Sequence, residues 1–486
     1  MKNAKIYQNK KGFMLAGVLV FGFIGALLVA GIVSWAGANI KSARREVGRE
    51  QAFQVAEAGI EYYRWHLAHN KTDYQDGTGV SGPYVHDFLD KEGEKIGEFS
   101  LNITPPLTGS TAVTIRSTGI IINDPSVQRT IEVILAIPSI ARYSVVANDV
   151  MRFGDGTEVF GPIHSNKGIR FDGFAHNIVS SAVAEYNDPD HGGQFGPMEF
   201  GVHTHITPVD PEPPSSVPLR PDVFGAGRTF PVPAVDFDGF TYDLANLKTV
   251  AQNDGLYFAD SGALGYNIVL KTDDTFDMYR VGSTFPPPTN GCNNPGQNGW
   301  GIWSIGTQTF LDNYPFPNNG IIFIEDDLWI EGQIDGARIT IAAARFPENP
   351  GNYANINFTK DILYTNYDGS DVIGLISQND ISAGLTSANI IRIDGALVAQ
   401  NGRVGRFYYR PPQGGNNRCS PYHIRDTITL YGMMATNERY GFRYSDGNGY
   451  ETRNLIYDAN LLYGPPPLLP LSTDQYETVS WKEMVN

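Results

Sequence analysis

Lys10-Lys11-Gly12-Phe13-Met14-Leu15-Ala16-Gly17-Val18-Leu19-Val20 opens a run in which no charged side chain occurs between Lys11 and Lys41. About 20 apolar residues in a helix are enough to cross a bilayer, so the run predicts a membrane-spanning helix. Lys2, Lys5, Lys10 and Lys11 stand before it, and an excess of lysine marks the cytoplasmic side of such a segment.

The residues after Ile40 separate a retained helix from a secretory signal. A signal would give way, after a shorter apolar core and a small-residue cleavage site, to an unrelated domain. Here Ser42 to Leu67 contains no proline, and Phe53, Ala56, Ile60, Tyr63 and Leu67 recur at the three-and-four spacing of one helix face. Arg44, Arg45, Glu46, Arg49 and Glu50 give the stretch mixed charge just beyond the apolar run. One long helix is predicted over 13–68, apolar at its start and amphipathic at its end.

Lys10-Lys11-Gly12-Phe13-Met14-Leu15 resembles the class III leader of type IV pilin-like proteins, and Gln54-Val55-Ala56-Glu57-Ala58-Gly59-Ile60-Glu61 resembles the helix of minor pilins of the PilX-like pilus assembly group. The resemblance implies a leader of residues 1–12, cut after Gly12 by a prepilin peptidase that methylates the new N-terminal Phe13. It also implies fibre assembly by side-by-side packing of apolar helices, here through Met14, Leu15, Gly17, Val20, Ile24, Leu27, Leu28 and Ile32. The implied partners are other pilins or pseudopilins, the peptidase and the inner or cytoplasmic membrane. One position departs from the family: major pilins carry a glutamate at the fifth mature residue, where this chain has Gly17. An amine buried in hydrocarbon without a counter-charge is costly, so Gly17 points to a fibre tip, an initiating subunit or a protein that never leaves the membrane, rather than a repeated place. Divergent pilin-like proteins that drop the glutamate without consequence are the competing explanation.

The formal net charge of −16 argues against nucleic acid as a partner. At 486 residues the chain is too long for one pilin domain. Residues 69–138 read as a small unit: a Gly/Asp/Thr-rich connector, then alternating runs at 97–103, 112–117 and 128–136. Val113 and Ile115 share one face, as do Ile131, Val133 and Leu135, which predicts an antiparallel sheet packed on the amphipathic end of the helix.

From 139 to 463 an internal repeat takes over. Gly161-Pro-Ile163-His-Ser-Asn166, Gly374-Leu-Ile376-Ser-Gln-Asn379, Gly395-Ala-Leu397-Val-Ala-Gln-Asn401 and Gly432-Met-Met434-Ala-Thr-Asn437 share a Gly, an apolar residue and a following Asn, with short β-rich runs around them. Such spacing suits stacked coils, whose corners need Gly and Asn and which bury an apolar face only when stacked. The expectation is a mainly-β, right-handed parallel β-helix (a solenoid) with insertions; a β-sandwich has similar ingredients and is the rival. The array from Asp327-Leu328-Trp329-Ile330 onward also resembles the β-helical domains found on PilX-like proteins, and Ser480-Trp481-Lys482-Glu483 that group's closing segment. The proline-rich stretch about 185–319 reads as an insertion, and 464–486 as a Pro-rich tail with the closing segment.

Side chains that could carry chemistry are few. Glu325-Asp326-Asp327 and the pair Asp236 and Asp238 are the acidic clusters; as turn residues they have a structural reading that outweighs a glycosidase pair. His203 and His205 fall on one face of an extended segment, with His164, His176 and His191 in the same half, but a metal site needs a further ligand brought in by folding. Asp446-Gly447-Asn448-Gly449 is too short for an EF-hand and reads as a turn. Cys292 and Cys419 allow one intramolecular disulfide; the sequence does not place their loops side by side. No Walker A loop, dinucleotide fingerprint, His-Glu-x-x-His or Gly-x-Ser-x-Gly element occurs. The expectation is therefore a structural protein without catalytic residues, cofactor or metal, held in the membrane by one span before assembly and then displayed at the cell surface, with surface glycans as ligands of the head. A membrane-anchored polysaccharide-binding or polysaccharide-degrading β-helix is the alternative.

Overall fold

The computed structural model describes residues 11–107, 109–192, 196–237 and 239–484. Lys2, Lys5, Lys10 and Asp238 therefore lie outside the described residues. The chain divides into two compact units, one of Met1–Pro105, Val113–Leu135 and Thr478–Asn486, the other of Pro106–Ala112 and Ala136–Glu477. In broad outline a long N-terminal helix is followed by a mostly β region in which parallel pairing dominates.

In the first unit, helix α1 (Lys11–His69) runs without a break for 59 residues, about 90 Å at helical rise. Its distal half packs on a five-stranded sheet. Strands β1 (Tyr84–Leu89), β2 (Lys95–Thr104), β3 (Val113–Ile121) and β4 (Gln128–Ala136) pair antiparallel in chain order, and the C-terminal strand Glu477–Met484 completes the sheet beside β4. Ala52, Val55, Ala56, Ile60, Tyr63 and Leu67 are buried on the helix side, and Phe99, Leu101, Val113, Ile115, Ile131 and Val133 on the sheet side. The spacing of the helix residues and the alternation of the strand residues are the same face seen from its two partners. Phe53, expected on that face, is half-buried and sets its ring edge-on to Trp481, 5.8 Å away.

Two glycines make the close approach. A Cβ at Gly119 would lie 2.0 Å from the Ala52 carbonyl oxygen and 2.4 Å from the Ala56 nitrogen; one at Gly59 would meet Ser117 Oγ at 2.3 Å and the Phe99 ring at 2.8 Å. Gly59 closes the Ala56-Glu57-Ala58-Gly59 segment, so that segment has a packing role in this chain.

In the second unit, one row of strands pairs in parallel from end to end: Leu256–Phe258, Ile321–Ile324, Arg338–Ala343, Val372–Ser377, Ile390–Ala399, Ile424–Thr436, Val145–Ala147, Ile163–Ser165, Val179–Ser181 and Arg228–Thr229. A second row runs through Tyr266–Leu270, Leu328–Ile334, Ile356–Phe358, Ile381–Ala383 and Val404–Arg406. A third holds Met151–Phe153, Ile169–Phe171 and Val202–His203. In the first row Ile322, Ile341, Leu375, Leu397, Met434, Val145, Ile163 and Val179 stack in register, and all are buried.

Spatial order and chain order differ. The strand at Val145–Ala147 pairs with the end of Ile424–Thr436 on one side and with Ile163–Ser165 on the other. The chain thus enters the row in its middle, builds toward Arg228–Thr229, and then resumes at the opposite end with Leu256–Phe258. Helix α2 (Gly239–Asp254) lies in that return, burying Leu244, Leu247 and Ala251 against Ile321, Phe323 and Ala342.

The register refines the repeat. Gly161, Gly395 and Gly432 occupy equivalent places, but Gly374 pairs with Ala396 and so sits one residue out of step. Because side chains alternate with a period of two, a slip of one exchanges the faces. Asn437, Asn148 and Asn166 then form a side-chain ladder, with Asn148 donating to Asn437 and Asn166 donating to Asn148, each at 2.8 Å, while Asn379 instead donates to Asn355 at 2.9 Å. The stretch 185–319, expected to interrupt the array, contributes Leu256–Phe258 and Tyr266–Leu270 to it. The added part is the antiparallel pair Thr275–Thr284 and Ile305–Pro315, which extends from Tyr266–Leu270.

Candidate functional site

Helix α1 changes character along its length. Met14, Leu15, Val18, Leu19, Val20, Phe21, Phe23, Ile24, Leu27, Leu28, Ile32 and Trp35 are all exposed, from 45 % at Ile24 to 79 % at Met14. It is long and apolar enough to cross a membrane. A Cβ added at Gly17, Gly22, Gly25, Gly31 or Gly37 would meet nothing within 4 Å, so these glycines leave shallow notches among the large residues. Small residues of this kind let apolar helices approach one another inside lipid. Gly12 and Phe13 fall in the first turn of the helix.

Where the helix ends, its C-terminal turn is pinned by a short loop. His66 Nε2 meets Asp73 Oδ2 at 3.0 Å, the Tyr63 hydroxyl donates to the Asp73 carbonyl at 3.0 Å, and the Tyr62 hydroxyl donates to Asp76 at 3.1 Å. Burial, the hydrogen bond to Asp76 and its negative charge push the Tyr62 hydroxyl up to about 12. The sheet edge is tied by charge: Glu132 accepts from Lys482 at 2.7 Å and from Arg116 at 2.5 Å. Those two donors, outweighing burial, hold the Glu132 carboxyl below its ordinary value.

The acidic cluster at 325–327 is fully engaged within the second unit. Glu325 accepts from Lys248 at 2.6 Å and from the Tyr257 hydroxyl. Burial raises its carboxyl, but Lys248 and Tyr257 together bring it below the usual value. Asp326 accepts from Ser261 and Arg345, and Asp327 from Arg345 and from the Asn355 amide at 2.7 Å. These carboxylates fasten neighbouring turns. Asp446 accepts from the Asn448 amide at 3.1 Å and from the Tyr408 hydroxyl at 2.5 Å, a turn with its neighbouring tyrosine.

Cys292 and Cys419 form a disulfide across 127 residues of sequence. It sits in a cluster of its own with Ile302, Leu385, Phe407 and Tyr409, all buried. Next to it Arg406, fully buried, donates to the carbonyls of Leu385, Tyr422 and His423 and stacks on the Tyr409 ring. Burial lowers its guanidinium to about 10.

The histidines divide. His164 meets Ser180 and Asn166 at 3.1 Å each and stacks on Tyr143; His176 stacks on Phe160. His191, His203 and His205 instead converge with Asp188 and Glu199. The two carboxylates were not among the sequence candidates. Glu199 lies in the strand Met198–Phe200 and His203 in Val202–His203, two strands of different sheets, so the two-residue spacing of His203 and His205 was the signal available.

No family model matches the chain, and no curated relative matches it. Among solved structures it is similar to the crystal structure of the competence-associated pilin ComZ from Thermus thermophilus, at 11% sequence identity and a TM-score of 0.30, over 90% of this chain and 98% of that one.

Proposed function

We propose that this protein is a minor pilin or pseudopilin that enters a type IV pilus or type II secretion-like fibre through α1 and carries a large head. The observation that supports this most is the division of a single unbroken helix into an exposed, uncharged apolar half and a half buried on an antiparallel sheet. The exposed half needs lipid or other apolar helices around it, since so large an apolar surface is unfavourable in water. Before assembly it spans the membrane once; afterwards it packs against the helices of neighbouring subunits. Cleavage after Gly12 and methylation of Phe13 convert the precursor to the assembling form. Gly17 supplies no carboxylate for a neighbour's N-terminal amine, which favours a tip or initiating place.

The head is read as a right-handed parallel β-helix. Its support is the continuous parallel register of the first row, with the second and third rows carrying the intervening segments. Its role is display, for adhesion to surface glycans, tip initiation or scaffolding, rather than catalysis.

The test is mass spectrometry of the protein recovered from membranes and sheared fibres. A mature chain beginning with N-methylated Phe13, lost in a Gly12→Val variant, is the expected result. An unchanged precursor mass in both, with no protein in the sheared fraction, overturns the reading.

A further inference from the structure

Three short segments of the second unit bring five metal-ligating side chains together as two overlapping sets of three. Strand Glu185–Asn187 pairs antiparallel with Met198–Phe200, and Val202–His203 pairs in parallel with Ile169–Phe171. Asp188 and His191 follow the first of these, Glu199 lies in the second, and His203 and His205 come from the third and the residues after it. The donor atoms of Asp188, His203 and His205 lie within 4.8 Å of one another, as do those of His191, Glu199 and His205. His205 is common to both sets.

Within each set an imidazole faces a carboxylate. His203 is completely buried and Asp188 is 2% exposed, yet His203 Nε2 and Asp188 Oδ2 face each other at 3.5 Å with no hydrogen bond to either atom. His205 Nε2 makes no hydrogen bond and stands 3.4 Å from Glu199 Oε1. Buried polar atoms are nearly always partnered, and orphaned atoms on Asp188, His203 and His205, side chains that make up one potential ligand set, call for a shared partner. With bonds of about 2.1 Å, the ligands of a tetrahedral zinc centre stand about 3.4 Å apart, which matches the two separations above. The contact of His191 Nδ1 with Glu199 Oε1, at 2.6 Å, is a hydrogen bond in this state and opens by less than 1 Å to admit a metal.

The outer contacts already hold the ligands in place. Asp188 Oδ1 accepts the Asp190 amide at 2.9 Å, which leaves Oδ2 directed inward. His203 Nδ1 lies 3.5 Å from the Tyr186 hydroxyl, which leaves Nε2 for the centre. Ligating imidazoles are commonly fixed in this way through the other ring nitrogen. Arg170 is the nearest competing cation, at 3.7 Å from Asp188 Oδ2, but its close pairing at 2.7 Å is with Asp172. Arg152 and Arg439 reach Asp190.

We propose that the overlapping sets Asp188, His203, His205 and His191, Glu199, His205 offer a binding site for one divalent transition-metal ion of the zinc class, held by the side chains of one set at a time with His205 common to both. Two imidazoles and a carboxylate, the make-up of either set, suit zinc, cobalt or nickel; calcium takes six to eight oxygens and is a poor match. The ion ties the antiparallel pair at 185–187 and 198–200 to the sheet that carries His203, and acts as a staple in this part of the second unit.

The experiment uses the full-length, untagged chain in detergent, stripped with a chelator and dialysed against buffered zinc, with metal measured by mass spectrometry. One equivalent per chain is expected, with at least a tenfold loss of affinity in His205→Ala and no loss in His176→Ala. Cobalt loading is expected to give the intense visible bands of a four- or five-coordinate centre and paramagnetically shifted imidazole signals, a measurement on the parent protein that does not depend on any variant folding. Less than a tenth of an equivalent in the folded parent, unchanged binding in His205→Ala, or a cobalt spectrum of the hexa-aquo type overturns the proposal.

Discussion

Gly119→Ala tests the helix-to-sheet contact of the first unit. The added methyl would lie 2.0 Å from the Ala52 carbonyl oxygen and 2.4 Å from the Ala56 nitrogen. Both are backbone atoms of α1, so no side-chain rotation relieves the overlap. Restoring an ordinary separation of about 3.4 Å moves the helix and β3 apart by about 1 Å or more, and gaps of that size forfeit a quarter to a half of the dispersion well across the interface. Overpacking typically costs about 1–3 kcal/mol, and contact with fixed backbone places this case near about 3 kcal/mol. That corresponds to a loss of roughly 100-fold in the folded-to-open ratio. The assay is hydrogen exchange of the full-length protein in detergent, read on peptides covering Val113–Ile121. Gly48→Ala is the matched comparison: its methyl meets side-chain ends alone, the Ile121 terminal methyl at 3.1 Å and the Val127 methyls at 3.9 and 4.0 Å, and replacing a helical glycine by alanine gains up to about 1 kcal/mol. Its expected effect is therefore neutral to protective. Equal protection in Gly119→Ala and the parent protein would refute the reasoning.

The remaining predictions concern covalent, capping and charge contacts. Removing the disulfide with Cys292→Ser and Cys419→Ser opens a closed loop of over 100 residues, for which chain entropy gives about 4–5 kcal/mol; denaturation of parent and double variant, read at the Cys292–Cys419 cluster, should differ by an amount of that order. Asp371 is buried and accepts the amides of Gly336, Ala337, Thr365 and Asn366, so Asp371→Ala orphans four donors and should cost at least about 3 kcal/mol, whereas a loss under about 1 kcal/mol in thermal unfolding argues against this role. Acid should loosen the C-terminal strand first: Lys482 and Arg116 hold Glu132 below its ordinary value, and Arg129 does the same for Glu483. Carboxyls lowered in the folded state add stability above their unfolded value of 4.5 and lose it as pH falls below that, so exchange in 477–484 should accelerate on acidification ahead of β2 and β3, and uniform acceleration would count against it.

Local patterns were read with the greatest success. The face formed by Ala56, Ile60, Tyr63 and Leu67 follows from helical spacing alone, and the alternation in 97–103, 112–117 and 128–136 led to β2, β3 and β4. Strand β1 was hidden because His86 and Asp87 break the apolar rhythm of Tyr84–Leu89. The strand Glu477–Met484 pairs with residues some 350 positions earlier, and nothing local in a polar, charged segment announces such a partner. Similarly, the Gly and Asn repeat was visible as a motif, but the one-residue slip at Gly374 emerges only from the hydrogen-bonded register. The histidine pair at 203 and 205 was legible, with His191 visible only as lying in the same half; the carboxylates Asp188 and Glu199 were not, because the antiparallel pairing of 185–187 with 198–200 is what brings Asp188 and His191 to the pair.

The place where Val145–Ala147 joins the row has a consequence for the order in which the protein is made. Residues 145–229 emerge from the ribosome long before 424–436, the segment on which they stack, so half of the early edge waits unpaired while nearly 200 further residues are synthesised. An ordinary stacked array can grow from its first coil as each new one is added. Here the first strands of the row lie in its interior, and completing their pairing requires contacts of very long sequence separation, which are slow to form. The second unit is therefore expected to complete its folding only after the strand at 424–436 has been delivered, leaving an interval in which an exposed strand edge needs protection from neighbouring chains.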